Sequence, residues 1–246
     1  MTDRVALITG GAAGIGLALT RLLRERGDDV IIADVNDEAG AMRATALGAG
    51  FVHCDVRSPD AVTAAVQTAV ERYGGLDVAV LNAGVGDHGP LTDQFDQHRY
   101  RRTMDVNVDG VVHGVVAALP ALRARGGGDI IVTASLAGLT PFAVDPVYTA
   151  SKHAVVGLVR ALAPTLVADE IRVNAVCPGF ADTAIIEPIR NMLGHGGMPL
   201  LNAGDVAAAF IAVLDARETG QCWFVQPGRP SEPFRFSGVP GPRATA

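Results

Sequence analysis

Tyr148 and Lys152 stand four residues apart in the stretch YTASK (148–152). On a helix this spacing places both side chains on one face. An ammonium group beside a phenol favours the phenolate and lowers the phenol pKa from about 10 toward neutral pH. The pair therefore predicts a tyrosine that gives or takes a hydroxyl proton as a general acid or base.

Lys152 is the only lysine among the 20 lysine and arginine residues of the chain. If residues were placed at random, its coincidence with one of the three tyrosines would be roughly a 1% accident. Arginine does not suit this role, because a guanidinium group is larger and does not exchange a proton, whereas an ammonium group is compact and relays one. We therefore interpret the pair as functional.

Two further polar residues are expected close to this pair. Ser135 ends a predicted strand, and Asn107 lies within the predicted helix that precedes that strand. In open α/β sheets, ligands bind at the carboxyl ends of the strands. Ser135 is therefore predicted to hold the same substrate oxygen as Tyr148.

A glycine-rich turn, TGGAAGIG (9–16), follows the first predicted strand and opens a helical pattern. Gly10, Gly14 and Gly16 would let the backbone approach a pyrophosphate at the helix N-terminus, where free N–H groups and the helix dipole favour anions. Such a turn alone is weak evidence, since purely structural turns share its composition. Its place between a strand and a helix favours a dinucleotide site. The nicotinamide of a bound dinucleotide would exchange a hydride with the substrate whose hydroxyl proton Tyr148 gives or takes.

The second predicted strand ends in Asp34, 18 residues after Gly16. A carboxylate at this position accepts hydrogen bonds from both ribose hydroxyls and repels a 2′-phosphate. No arginine lies in the glycine turn or directly after Asp34, where its charge would offset that repulsion. The sequence therefore favours NAD over NADP, the alternative for Asp34 being a solvated carboxylate at a strand end.

Short β-branched runs alternate with longer helical patterns along the chain. Strands are predicted at 5–9, 30–34, 51–56, 76–81, 129–135, 171–176 and 222–226, and helices at 14–26, 36–47, 59–73, 94–123, 147–168 and 204–216. The alternation is typical of a parallel sheet covered by helices, and the nearly continuous apolar strands fit burial on both faces. We predict one α/β domain over 1–246, a single Rossmann-type doubly wound domain with a seven-stranded parallel sheet and helices on both faces.

The composition excludes several classes of function. The net charge is −6 with no basic block, so a nucleic-acid footprint is not expected. No apolar stretch approaches the roughly 20 residues of a membrane span. Cys54, Cys177 and Cys222 are far apart and form no CxxC pair, which argues against structural zinc and disulfides and for a reducing compartment. We predict a cytoplasmic protein without a metal site.

Several motifs occur together in one order, and their combination is highly specific. They are TGGAAGIG, Asp34, CDV (54–56), NAG (82–84), Asn107, Ser135, YTASK and PGFADT (178–183). With them, the chain resembles the short-chain dehydrogenase/reductase family over nearly its full length. The resemblance implies an NAD-dependent oxidoreductase that transfers a hydride between nicotinamide and a secondary alcohol or ketone, assembled as a homotetramer or homodimer.

The resemblance also implies roles for individual residues. Asn107, Ser135, Tyr148 and Lys152 would form the catalytic set, with Asn107 holding a water that links Lys152 to solvent. Asp55 and Val56 would flank the adenine, and Thr183 would contact the carboxamide or the phosphates. The complete implied cofactor set is Gly10, Ala13, Gly14, Ile15, Gly16, Asp34, Val35, Asp55, Val56, Asn82, Ala83, Gly84, Tyr148, Lys152, Pro178, Gly179 and Thr183.

Within the family, the stretches 135–153 and 173–189 are similar to the hydroxyprostaglandin-dehydrogenase-like members. Those enzymes oxidise a secondary alcohol on a lipophilic substrate, so the resemblance implies a lipophilic substrate here. Asp145 stands where that group has a substrate-binding glutamine, and an ionised carboxylate accepts but does not donate hydrogen bonds. Asp145 is therefore a candidate substrate residue, and the prostaglandin substrate of that group is not carried over to this chain. The stretch VQPG (225–228) also departs from the family's V-D-G-G turn.

Two segments break the alternation of strands and helices. The segment 180–202 is predicted to cover the cleft as a lid, with Ile185, Ile186 and Met192 lining an apolar substrate pocket; the alternative is ordinary packing or a subunit contact. The Pro/Gly-rich tail 227–246 either reaches a neighbouring subunit or is a disordered end.

Two other functions remain open at this stage. A catalytically silent NAD-binding sensor or scaffold would keep the fold, but it would have no need of Asn107, Ser135, Tyr148 and Lys152 together. A dehydratase or epimerase of the same family would use the same tyrosine and cofactor on another substrate.

Overall fold

One sheet runs through the part of the chain that the structure, a computed structural model, describes: residues 4–86, 89, 91–93 and 95–238. Its strands are β1 (Val5–Thr9), β2 (Asp29–Asp34), β3 (Gly50–His53), β4 (Val78–Leu81), β5 (Gly128–Thr133), β6 (Ile171–Pro178), β7 (Cys222–Val225) and β8 (Glu232–Pro233). Their order across the sheet is β3-β2-β1-β4-β5-β6-β7-β8. The order reverses direction between β1 and β4, which is where open α/β sheets bind ligands.

The first seven strands are parallel, as the alternating pattern predicts, and β8 adds an antiparallel edge strand that the sequence did not predict. The segment holding β8 is rich in proline, which favours an edge strand rather than a central one. Beyond β8, the Phe236 ring packs on the core and lies 3.8 Å from the Arg160 guanidinium carbon. The tail therefore folds back on the core as far as Phe236, and 239–246 lie outside the described residues.

Helices cover both faces of the sheet. They are α1 (Gly14–Glu25), α2 (Asp37–Leu47), α3 (Pro59–Tyr73), α4 (Gln97–Met104), α5 (Gly110–Ala124), α6 (Pro146–Leu162), α7 (Arg190–His195) and α8 (Ala203–Ala216). Side chains of α1, α2 and α8 join one buried cluster, and those of α3, α5 and α6 join the other. Adjacent residues of β1 divide between the clusters, Leu7 in one and Ile8 in the other, because successive side chains of a strand point to opposite faces.

The single helix predicted over 94–123 is interrupted. It begins at Gln97, where Asp96 Oδ1 accepts from His98 N at 2.8 Å. A π-helical turn, Asp105–Asp109, then separates α4 from α5. Such turns are rare and occur frequently at functional sites. The turn contains Asn107, which is fully buried.

By length and hydropathy alone, the helical run Gln97–Ala124 could cross a membrane, and a core helix of a soluble protein passes the same test. Here Val115, Ala118 and Leu122 are buried in the cluster beneath the sheet. Val112 and Val116 of the same helix are exposed, so this packing accounts for only part of the apolar character of the run.

The α8 face of the core provides a test of the packing. Phe210 is the largest fully buried side chain among the described residues, with 0% of its surface exposed. Phe210→Ala should lower the free energy of unfolding by about 3–5 kcal/mol, because it removes buried surface and leaves a cavity. Urea denaturation measures the loss. The matched control is Phe95→Ala, whose ring is 42% exposed and which should cost under about 1 kcal/mol. Equal losses in the two variants would contradict this packing.

Candidate active site

A cavity of about 390 Å³ opens at the carboxyl ends of the central strands. Its wall is formed by the glycine turn after β1, the residues that follow β4 and β5, the start of α6 and the segment after β6. These segments are distant in sequence and meet because parallel strands end at the same edge of the sheet. The cavity therefore unites the glycine turn with the tyrosine–lysine pair.

The glycine turn adopts a backbone that other residues disfavour. Gly10 and Gly14 have φ of +63° and +51°. A Cβ on Gly16 would lie 2.3 Å from the Gly10 carbonyl oxygen. The residue before α1 is Ala13, and no described side chain caps the helix or places an acid in its first turn. The free N–H groups of this helix start therefore face a site suited to an anion.

Asn82 joins the glycine turn to the centre of the sheet. Its Nδ2 donates to the carbonyl oxygens of Thr9 and Gly10, both at 3.1 Å, and its Oδ1 accepts from Thr133 Oγ1 at 2.9 Å. Thr9 Oγ1 in turn accepts from the backbone N–H groups of Asn82 and Ala83. Sequence reasoning missed both threonines. The signal that could have found them is that each is the last residue of a strand entering the site.

Asp34 lies beside the glycine turn rather than in the cavity wall. Its Oδ2 accepts from Ala12 N and its Oδ1 from Asn36 N, each at 3.0 Å. Val35 is 59% exposed next to it. The carboxylate is therefore fixed at the end of β2, where a ribose of a bound dinucleotide is expected.

The two residues expected at the adenine differ in environment. Asp55 is held by Arg57, whose Nε lies 2.9 Å from Asp55 Oδ1, and this hydrogen bond lowers the pKa of the Asp55 carboxyl. Val56 is buried against Gly110, where an added Cβ would lie 2.8 Å from Val56 Cγ2. Neither residue lines the cavity.

Lys152 lines the cavity and is buried. Its Nζ donates to the Thr133 carbonyl oxygen at 2.8 Å, and only 3% of the residue is exposed. Burial lowers the pKa of Lys152 to about 8. The ammonium is therefore held in place by the strand that also anchors Asn82.

Tyr148 and Lys152 share one side of α6, with Lys152 Nζ 5.6 Å from the centre of the Tyr148 ring. Burial nevertheless raises the pKa of Tyr148 to about 12, while a hydrogen bond from Ser135 acts in the opposite direction. The prediction of a lowered phenol pKa is therefore wrong for the protein alone. The reason is that desolvation by burial is the largest influence on the pKa of this phenol.

Asn107 ties the π-helical turn to the loop after β4. Its Oδ1 accepts from Val85 N at 2.8 Å, and its Nδ2 donates to Val85 O at 2.9 Å and to Ser151 Oγ at 3.1 Å. Ser151 Oγ donates to the Tyr148 carbonyl oxygen at 2.7 Å. The Asn107 side chain thus braces the helix that carries Tyr148. Ser151 belongs to this site, and sequence reasoning did not identify it. That Asn107 holds a water remains a prediction.

The segment after β6 forms one wall of the cavity. Leu201 N donates to Phe180 O and Asp182 N donates to Leu201 O, both at 2.8 Å, so the two ends of the predicted lid are joined. The cavity is lined by Pro178, Gly179, Thr183, Ile185 and Ile186, among other residues.

Two residues predicted to contact substrate lie in different environments. Met192 does not line the cavity and is 45% exposed on α7. Asp145 does line the cavity, but it is 1% exposed and its Oδ1 accepts from Tyr148 N at 2.9 Å as the N-terminal cap of α6. The cap explains an aspartate here in local terms, because this residue type satisfies a free N–H group at a helix start.

Comparison with known proteins shows what the chain is similar to. A family model described as short chain dehydrogenase matches residues 4–194. The chain is 39% identical over 188 residues to cis-4-hydroxycyclohexanecarboxylate dehydrogenase of Sinomonas cyclohexanicum, covering 75% of this chain and 76% of the relative. It is 38% identical over 201 residues to human 15-hydroxyprostaglandin dehydrogenase (NAD(+)), covering 77% and 72%.

A solved structure has the same fold. It is the crystal structure of 3-ketoacyl-(acyl-carrier-protein) reductase from Brucella melitensis complexed with NADH, which superposes with a TM-score of 0.83 at 29% identity and covers 92% of this chain and 98% of that one. The family model spans most of the chain and includes the glycine turn, Asn107, Ser135, Tyr148 and Lys152. The chain belongs to the short-chain dehydrogenase/reductase family.

Proposed function

We propose that the protein transfers a hydride between NAD and a lipophilic secondary alcohol or its ketone. The observation that carries this proposal is the meeting of Ser135, Tyr148 and Lys152 with the glycine turn in one cavity. A silent dinucleotide sensor would need the glycine turn but not the acid–base residues.

The residues present fit a nicotinamide dinucleotide. The uncapped start of α1 and the open backbone at Gly14 suit its pyrophosphate, and Asp34 suits a ribose. Thr183 lies across from the turn, since a Cβ on Gly14 would be 3.1 Å from Thr183 Cγ2. When bound, the nicotinamide supplies or accepts the hydride.

The proton is handled by the protein's own groups. Tyr148 Oη donates a proton to the carbonyl oxygen during reduction and takes it from the hydroxyl during oxidation. The Ser135 hydroxyl, which lines the cavity together with Tyr148, holds the same substrate oxygen. Lys152 stands one turn along α6 and favours the ionised phenol that oxidation requires.

NAD rather than NADP is supported by the end of β2. The Asp34 carboxylate, held by Ala12 N and Asn36 N, would lie against a 2′-phosphate and repel it. The relatives agree with this preference, since the human enzyme's name specifies NAD(+) and the bacterial structure contains NADH.

A lipophilic substrate is supported by the wall of the cavity. Ile185, Ile186 and Ile189 approach it from the segment after β6, and Phe142 meets Phe180 edge-on with ring centres 5.7 Å apart. Apolar walls with a few convergent polar groups are typical of sites for small apolar ligands. Assembly as a homodimer or homotetramer and a cytoplasmic location remain predictions.

Tyr148→Phe tests the acid–base step. It should lower kcat/KM for alcohol oxidation at least about 100-fold, because the proton acceptor is lost, while NAD binding is retained. NADH absorbance with a panel of cyclic, aromatic and long-chain secondary alcohols measures turnover, and calorimetry measures NAD binding. Tyr100→Phe, outside the cavity, is the control and should be unchanged. Turnover retained in Tyr148→Phe would refute this role.

Asp34→Asn tests the cofactor preference. The wild-type protein should bind NAD more tightly than NADP, and the variant should narrow the ratio of the two dissociation constants by about tenfold, because the repelling charge is lost while an acceptor for Ala12 N is kept. Asp37→Asn, at the exposed first residue of α2, is the matched control. An unchanged ratio in Asp34→Asn would assign the preference to other residues.

Ile185→Ala tests the apolar wall. Ile185 lines the cavity and is only partly buried, so its truncation should raise KM for lipophilic alcohols several-fold, to about tenfold, without loss of folding. Met192→Ala removes a comparable side chain from the exposed side of the same segment and should leave KM unchanged. The proposed role of the wall would be refuted if Ile185→Ala left KM unchanged for every substrate of the panel. It would also be refuted if Met192→Ala changed KM as much as Ile185→Ala did.

A further inference from the structure

Two phenylalanine rings meet at the wall of the cavity. Phe142 lies in the loop before α6 and Phe180 shortly after β6, and their ring centres are 5.7 Å apart with the planes inclined at 65°. Both residues line the cavity and are only partly buried. Edge-to-face contacts of this kind attract each other beyond the burial of apolar surface. The pair therefore joins two stretches of the wall that are distant in sequence.

Phe142 is held on the helix that carries Tyr148. Its N–H group donates to Thr149 Oγ1 at 3.3 Å, and its carbonyl oxygen accepts from Thr149 Oγ1 and from Asp145 N, both at 3.1 Å. Thr149 directly follows Tyr148 in the chain. The backbone of Phe142 is therefore fixed relative to the turn of α6 that carries the proposed acid–base residue.

Phe180 is held separately, by the far end of the segment after β6. Its carbonyl oxygen accepts from Leu201 N at 2.8 Å, and Leu201 is buried in the cluster that includes side chains of α8. Both rings thus stand on anchored backbone. A substrate would widen this part of the wall only by breaking backbone hydrogen bonds or by turning a ring out of its edge-to-face contact.

The volume of the cavity limits the length of a substrate. Its 390 Å³ is near the lower end of the roughly 300–1,000 Å³ that is typical of small-molecule sites. The cavity also extends to the glycine turn at Gly10 and Gly14, where the cofactor is expected, so only part of this volume is left for substrate. The space that remains suits one small apolar ring better than a long chain.

We propose that Phe142 is a specificity-determining residue that, with Phe180, restricts the site to compact cyclic secondary alcohols and the corresponding ketones. This proposal rests on the proposed function and narrows its substrate class. The Phe142 ring fills space that a longer group would need. Because the ring is anchored to the helix that carries Tyr148, this limit lies at a fixed place relative to the proposed proton donor.

Cyclohexanol and 2-octanol test the proposal, since both are uncharged secondary alcohols and they differ in shape. In an apolar pocket, one methylene group more or less changes kcat/KM by about 10–200-fold. With NAD, the wild-type protein should therefore have at least about tenfold higher kcat/KM for cyclohexanol, measured by NADH absorbance. Phe142→Ala should lower this ratio by about tenfold, because loss of the ring opens the wall to the longer chain.

Two further variants separate a size limit from a general disturbance. Phe142→Val removes less of the side chain and should lower the ratio to a smaller extent, and it carries the test if the alanine variant does not fold. Phe95→Ala is the matched control, because this ring is 42% exposed and does not line the cavity. It should leave the ratio unchanged. Calorimetry should show equal NAD binding in all variants.

A binding measurement makes the test independent of turnover. NADH and an alcohol exchange no hydride, since both are already reduced, so saturation-transfer NMR in the presence of NADH gives the dissociation constant of each alcohol. The ratio of the two constants should follow the same order in the wild-type protein and the variants. Absence of turnover with every alcohol would refute the oxidoreductase function, while this ratio still decides the role of Phe142.

Three results would overturn the proposal. They are an unchanged ratio in the folded variants of Phe142, an equal change in Phe95→Ala, and a wild-type protein that binds 2-octanol as tightly as cyclohexanol or binds neither.

Discussion

The site depends on one partly buried set of hydrogen bonds that joins three parallel strands. Asn82, after β4, is bonded to Thr9 of β1 and to Thr133 of β5, and the Thr133 carbonyl oxygen accepts from Lys152. A buried polar group that loses its partner costs about 1–3 kcal/mol, so the arrangement resists displacement of any one member. Because the same set supports the glycine turn and the lysine, it fixes the distance between the cofactor side and the proton-transfer side of the cavity.

The first turn of α6 carries Tyr148, the proposed acid–base residue, and is itself held by hydrogen bonds. Asn107 and Ser151 brace it from the π-helical turn, and Asp145 caps it. Burial makes the Tyr148 phenol hard to ionise and makes the Lys152 ammonium easier to deprotonate, for the same reason: a medium of low polarity disfavours either charge. The protein alone thus keeps the tyrosine as an acid, and the balance of the surrounding charges decides when it becomes a base.

Much of the fold could be predicted because hydrophobic periodicity and turn residues are local features of the sequence. The βα alternation predicted seven parallel strands and helices on both faces, and the glycines predicted the turn after β1. What failed depends on contacts that the local pattern does not contain. β8 forms because a short proline-containing segment reaches the edge of β7, and Met192 faces outward because α7 turns it away from the cavity. The π-helical turn at Asn107 satisfies bonds to a loop and to another helix.

By itself, the sequence determined the fold class and the family. It also predicted the reacting residues, because residue types such as a lone lysine four residues after a tyrosine carry chemistry wherever they are placed. Only the tertiary structure decided how those residues behave. The direction of the Tyr148 pKa reversed because burial is a property of packing, and Asp145, which lines the cavity, also caps α6 because its carboxylate accepts from the Tyr148 backbone N–H group. Spacing predicts which groups share a helix face, but the polarity around them is set by strands and helices that arrive from elsewhere in the chain.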